Sequence, residues 1–178
     1  MTPPLIVTLA IDDAAQERFD AERERLFPPG RAQVGAHVTL FHALPGALEP
    51  QVRADLGDVS GAAFPVRVAG IVALGRGVAY LLASPEVTRR HRVLQRLWWP
   101  HLTAQDQHGL RPHVTVQNKV EPAEARATLA VLRRSFRPYD VTAVGFELWR
   151  YDDGPWTHLA RIPFAPPTAH SGGGTNSG

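Results

Sequence analysis

The chain has no cysteine, one methionine and, at Lys119, one lysine. Without cysteine there are no disulfides, no thiolate zinc sites, no iron–sulfur clusters and no cysteine nucleophile, and the usage fits a reducing compartment, so a cytoplasmic location is expected. No apolar run approaches the ~18 residues of a membrane helix, and no membrane contact is expected. The N-terminal Met1-Thr2-Pro3-Pro4 lacks the basic start and small-residue cleavage site of a signal peptide. A Gly-x-Gly-x-x-Gly loop and a P-loop are both missing, which removes the common phosphate cradles for ATP and NAD. His91, His101 and His108 have neither metal-ligand spacing nor neighbouring acids. Neither metal nor cofactor is therefore expected.

What is present is ordinary globular composition: 178 residues, 44% hydrophobic and 20% charged, enough for one domain with a real interior. Formal net charge is only +2, while the sequence pI is 9.5 because the cations are nearly all arginine. That balance alone does not mark a nucleic-acid binder.

Hydrophobic patterning and turn residues predict strands over 5–11, 36–44, 64–74, 78–83, 111–120, 139–150 and 156–164. They predict helices over 14–27, 50–59, 85–99 and 122–136, three of which open on a proline. The order is a lead strand followed twice by helix–strand–helix–hairpin, an internal duplication. Tight hairpins ending each unit imply mainly antiparallel pairing with helices outside, an α+β fold of two pseudo-symmetric lobes around a central groove. A single bilobal domain is expected over residues 1–165. A disordered tail is expected over 166–178, where small and polar residues follow Pro166-Pro167.

The two halves align on Ala36-His37-Val38-Thr39-Leu40 and Pro112-His113-Val114-Thr115-Val116, with the histidines 76 residues apart. His-x-Thr by itself is a weak signal, with about 0.5 matches expected by chance. His101-Leu102-Thr103 also fits, but it follows Trp98-Trp99-Pro100 at a helix end. His-Val-Thr should occur only about 0.05 times at random, and here it occurs twice, at equivalent points of a repeat. Strand alternation puts His37, Thr39 and Phe41 on one face, and Val38, Leu40 and His42 on the other, core-facing side. In the second strand His113, Thr115, Gln117 and Lys119 share the polar face. Two imidazoles can divide the giving and taking of a proton near neutral pH. Two hydroxyls, with Lys119 close by, can hold the non-bridging oxygens of a phosphodiester.

Paired His-x-Thr motifs in a duplicated α+β chain of this length resemble the 2H phosphoesterases, and within them the bacterial group of 2′-5′ RNA ligases and RNA 2′,3′-cyclic phosphodiesterases. The hairpin from Phe146-Glu147-Leu148-Trp149-Arg150 through Gly154-Pro155-Trp156 is similar to the family's closing pattern. The resemblance covers residues 5–165. It implies a V-shaped groove, His37, Thr39, His113 and Thr115 as catalytic residues, and a metal-free reaction on RNA ends or small nucleotides bearing a cyclic phosphate, by a monomer. It leans towards His113 activating water and His37 protonating the leaving ribose oxygen. The chain departs from the family's usual Phe-Leu-Gly after the first motif, having Phe41-His42-Ala43, and has Tyr151 where a serine commonly follows Arg150.

Phe41, as a base-stacking residue, with Gln117, Lys119 and Arg150, completes the expected substrate-binding set. Trp98 and Trp99 are expected in packing, and Arg89, Arg90, Arg92 and Arg96 on a solvated helix face. Two other functions compete with this one. A noncatalytic RNA-binding module would need aromatics and arginine but no matched histidines, and a His-metal hydrolase would be stopped by a chelator.

Overall fold

A computed structural model describes residues 2–167 of the chain; of the expected tail, residues 168–178 lie outside the described residues. Among the described residues seven strands and four of five α-helices follow the expected order: β1 (Leu5–Ile11), α1 (Asp13–Leu26), β2 (Val38–Leu44), α2 (Glu49–Val59), β3 (Phe64–Ala73), β4 (Val78–Ala83), α3 (Pro85–Trp98), α4 (Ala104–Gln107), β5 (His113–Gln117), α5 (Pro122–Ser135), β6 (Tyr139–Tyr151) and β7 (Trp156–Pro163). The short α4 falls where the sequence suggested only a polar loop. Thr103 caps it, its hydroxyl accepting from the Asp106 amide, which accounts for the third His-x-Thr match as a helix cap.

All strand pairs are antiparallel and form one sheet of order β2-β1-β6-β3-β4-β5, with β7 on the free part of β6. The sheet curls into a half-barrel, so its end strands β2 and β5 come back into contact. The lobes are not the two sequence halves. The hairpin β3–β4 of the first repeat pairs with β5 of the second, and β1–β2 pair with β6–β7. The long β6 makes this possible, pairing with β3 through Tyr139–Ala143 and with β7 through Gly145–Tyr151.

The core is a continuous apolar cluster between the sheet and its helices, with Val7, Val38, Leu56, Val66, Leu94, Val114 and Leu148 fully enclosed. Helix termini follow local chemistry. Asp12 caps α1 through Ala15, and Ser84 caps α3 ahead of Pro85. Two expectations for α3 fail. Trp98 is buried as expected, but Trp99 is about half exposed, because the helix ends there in a 3₁₀ turn over Trp99–His101.

Arg90 is buried rather than solvated. Its guanidinium lies 4.5 Å from the centroids of both Phe64 and Phe164. It donates to the carbonyls of Ser60 and Ala62 and to Glu86. Arg89 and Arg90 hold the Glu86 carboxyl at a pKa of about 2, their bonds outweighing its partial burial. Arg90→Ala should cost about 2–4 kcal/mol, the scale for breaking a buried hydrogen-bonded charge network. Urea unfolding would measure it. Arg92→Ala, on the exposed side of the same helix, should cost less than about 0.5 kcal/mol.

Candidate active site

Both motif histidines are half-buried and anchored in the same way. His37 Nδ1 donates to the Gly35 carbonyl at 2.8 Å, and His113 Nδ1 donates to the Arg111 carbonyl, also at 2.8 Å. A carbonyl only accepts, so Nδ1 carries the proton and Nε2 is the nitrogen free to exchange one. Gly35 and Arg111 are equivalent positions of the repeat, and the duplication thus extends to the tautomer.

Helix α1 holds the first motif in place. Gln16, Asp20 and Arg23, at helical spacing on one face, bind the segment before β2. Gln16 Nε2 donates to the Ala36 carbonyl, Asp20 Oδ1 accepts the Ala36 amide, and Arg23 Nε donates to the Val34 carbonyl. Arg23 Nη1 also reaches the Thr115 carbonyl at 2.7 Å. One buried guanidinium therefore ties the His37 segment to the second motif strand, across the lobes. The sequence alone shows only a charged helix here. The signal is a polar i, i+4, i+7 stripe on the side facing the sheet.

Desolvation is the main reason that the His37 pKa lies below the usual histidine value. The bond to the Gly35 carbonyl opposes it, and the positive charges of Arg23, His113 and His42 lower it further. Trp156 adds to the enclosure, its ring 4.7 Å from that of His37. Trp149 stands behind it, 6.0 Å from Trp156, with its indole N–H donating to the Thr8 hydroxyl.

A groove of about 530 Å³ runs along the motifs, lined by Thr39 and His113 together with His42, His91, Asp106 and Arg111. A smaller recess of about 190 Å³ is lined by His37 together with Thr8, Glu147 and Trp149. Among the described residues no group of three or more His, Cys, Asp or Glu side chains is placed to hold a metal ion. No helix among them is long and apolar enough to cross a membrane.

Thr39 and His113 line the groove together, His37 is near enough to His113 for that ring's charge to act on it, and Arg23 ties the Thr115 backbone to the His37 segment. The expected substrate-binding residues lie elsewhere. Phe41 is fully buried, stacked on His91 and edge-on to Trp98. Gln117 is 1% exposed, and its amide donates to the Thr128 hydroxyl. The cause is the same in both lobes: a register shift just after the motif threonine, between the pairs Val7–Phe41 and Thr8–Thr39 and between Val78–Gln117 and Ala79–Thr115. The extra residue reverses alternation, turning Phe41 and Gln117 inward. It also turns His42 outward, to 40% exposure, against the core position expected for it.

Lys119 lies beyond the end of β5, in left-handed conformation with φ 63°. Its turn is packed against the β3–β4 hairpin, where a Cβ on Gly77 would come within 1.9 Å of the Gln117 carbonyl oxygen. It is not among the groove-lining residues. Arg150 shares the face of Leu148, opposite Glu147 and Trp149, and is ion-paired with Asp152 at 2.8 Å. It points away from the motifs.

The family model of the 2′-5′ RNA ligase superfamily matches residues 11–155. The chain therefore belongs to that superfamily, within the 2H phosphoesterases. Solved structures share its fold. The Thermus thermophilus protein TT0787 is 17% identical, with a TM-score of 0.63 over 90% of this chain and 97% of that one. A structure described as a phosphoesterase is 15% identical, with a TM-score of 0.62 over 93% and 99% of the two chains. E. coli LigT, crystallised with 3′-AMP, is 17% identical, with a TM-score of 0.58 over 93% and 99%. No curated protein matches the chain by sequence.

Proposed function

We propose that the chain is a metal-independent phosphodiesterase that opens 2′,3′-cyclic phosphates on RNA ends or nucleotides, with His37, Thr39, His113 and Thr115 as its catalytic residues. The observation that carries this reading is the matched pair of imidazoles, each with Nδ1 fixed on a backbone carbonyl and Nε2 left free. A binding module would have no use for that symmetry.

The lowered pKa of His37 favours its neutral form, which supports His37 as the base, the reverse of the assignment that the family resemblance favoured. His37 Nε2 takes a proton from water as the water oxygen bonds to phosphorus. The bond from phosphorus to one ribose oxygen breaks, and His113 Nε2–H protonates that oxygen. The Thr39 and Thr115 hydroxyls donate to the non-bridging oxygens as charge builds on them. Products are a phosphomonoester and a free ribose hydroxyl. With a 5′-hydroxyl in place of water as the nucleophile, the same step in the same direction would join two RNA ends; its reverse would cleave the junction and reform the cyclic phosphate. That E. coli LigT has been crystallised with 3′-AMP, ATP and phosphate is consistent with a nucleotide phosphate in this groove.

The test is a panel of nucleoside and oligonucleotide 2′,3′-cyclic phosphates, assayed with and without EDTA. Ring opening at unchanged rate in the chelator is expected. Loss of all turnover on chelation, restored by zinc or manganese, would replace this mechanism with a metal-dependent one.

A further inference from the structure

His42 is the histidine that the duplication does not explain. Its counterpart 76 residues on is Asn118, and its core-facing expectation is overturned by the bulge after Thr39. In the structure its Nδ1 is 2.7 Å from Asp106 Oδ1. The Asp106 side chain is 1% exposed, and its other oxygen accepts the amides of His42 and Ala43 at 2.8 and 3.2 Å. Both oxygens of this carboxylate are thus used. Burial raises the Asp106 pKa, but the bonds from the imidazole and the two amides prevail and keep it below the usual carboxylate range. A carboxylate holding Nδ1–H fixes the imidazole plane and leaves Nε2 as the nitrogen without a partner on Asp106.

Chemical character along the groove is one-sided. His42 lines the same cavity as Thr39 and His113. From α3, His91 is buried against Phe41, with its pKa lowered by desolvation. From the segment after α4, His108 has its Nδ1 on the Ala104 carbonyl. From the approach to β5, Arg111 supplies a permanent positive charge. Apart from Asp106, which is spent, no acidic side chain among the described residues lines this cavity.

We propose that His42, oriented by Asp106, binds a second phosphate of the substrate, beyond the phosphate that reacts between His37 and His113. This rests on the proposed phosphodiesterase reading and narrows its substrate class to cyclic phosphates that carry a further phosphate. That group is either a 5′-monoester on the same nucleotide or the diester leading to the next one. An anion at Nε2 draws the proton onto the ring, so the contact strengthens as pH falls through the histidine range. Asp106 is a positioning residue: it touches His42 and two backbone amides, not the substrate.

Binding can be read without turnover. Adenosine 2′-monophosphate and adenosine 2′,5′-bisphosphate are titrated calorimetrically into the full chain at about pH 6 and about pH 8. The ratio of the two affinities is the readout, which a general loss of folded protein does not move. The second phosphate should tighten binding roughly tenfold at the lower pH, the worth of one charge-assisted hydrogen bond, and less at the higher pH. His42→Ala should bring the ratio close to one. His42→Gln should keep part of it but lose its pH dependence, which a merely structural role for the side chain would not predict. A ratio unchanged in His42→Ala, or no preference in the wild type, overturns the proposal. A turnover arm compares KM for a nucleoside 2′,3′-cyclic phosphate, its 5′-phosphorylated form and a dinucleotide ending in the cyclic phosphate. This arm separates the monoester from the diester as the source of the second phosphate. If no cyclic phosphate is opened, the phosphodiesterase reading fails while the affinity ratio still decides the role of His42. If all three are opened with equal KM and the affinity ratio is one, only the second-phosphate site fails.

Discussion

His37→Ala and His113→Ala should each lower kcat on a 2′,3′-cyclic phosphate by at least about 10²-fold, the scale for removing one general acid or base. The double variant should fall little below the worse single one, because the two groups serve one transition state and their contributions do not add. Folding should survive. Both rings are half-buried at the groove, and the removed hydrogen bonds go to the carbonyls of Gly35 and Arg111, so truncation opens no cavity in the apolar core. Circular dichroism and thermal melting check this. Thr39→Val and Thr115→Val keep the branched shape and lose only a hydroxyl, and about tenfold in kcat is expected for each. Wild-type turnover in either histidine variant would show that the residue takes no part in proton transfer. Equal losses for the threonine and histidine variants would point to substrate holding as the shared role.

The strands and helices can be read from the chain because their signals are local: alternation, apolar periodicity, and Pro, Gly and Ser at the ends. The motif histidines can be read for the same reason, since a repeated His-Val-Thr needs no knowledge of what packs against it. What escapes depends on partners distant in sequence. Simple alternation runs on through Phe41 and Gln117, but an extra residue in each strand is visible only once β1 and β4 are laid alongside. That single error of phase accounts for placing Phe41 and Gln117 in the groove and His42 in the core. Arg150 fails differently. Its face is decided by Leu148 two residues before it, so alternation is the better guide there and family resemblance the worse one. The exchange of hairpins between lobes also lies outside local reading, because the length that lets β6 serve both lobes has no meaning until its neighbours β3 and β7 are known. Arg23 shows the cost most plainly. Its two acceptors, Val34 and Thr115, stand 11 and 92 residues away, and nothing in the helix sequence names either.

Replacing the leaving ribose oxygen of the substrate by sulfur should restore His113→Ala by roughly 10²-fold relative to its rate on the oxygen substrate, and should leave His37→Ala unrestored. A thiolate departs with little need of a proton, so an enzyme without its general acid loses little on such a substrate, whereas one without its base still cannot activate water. The physical ground for this direction is the environment of His37. Desolvation, the Arg23 guanidinium and the neighbouring histidines all penalise its charged form, and only the Gly35 carbonyl favours it. A base must be neutral before it acts, so kcat/KM should fall on the acid side with a midpoint below about 6.5, the ordinary histidine value. Once the anionic substrate is bound, its charge favours the protonated form of both rings. The acid limb of kcat should then lie at higher pH than that of kcat/KM. Arg23→Met removes one of the charges that depress His37, and any loosening of the segment relieves its desolvation, so both effects should move the kcat/KM limb upward. Sulfur rescue of His37→Ala in place of His113→Ala would exchange the two roles. In that case the lowered pKa of His37 would describe the resting enzyme only, with the proton arriving together with the substrate.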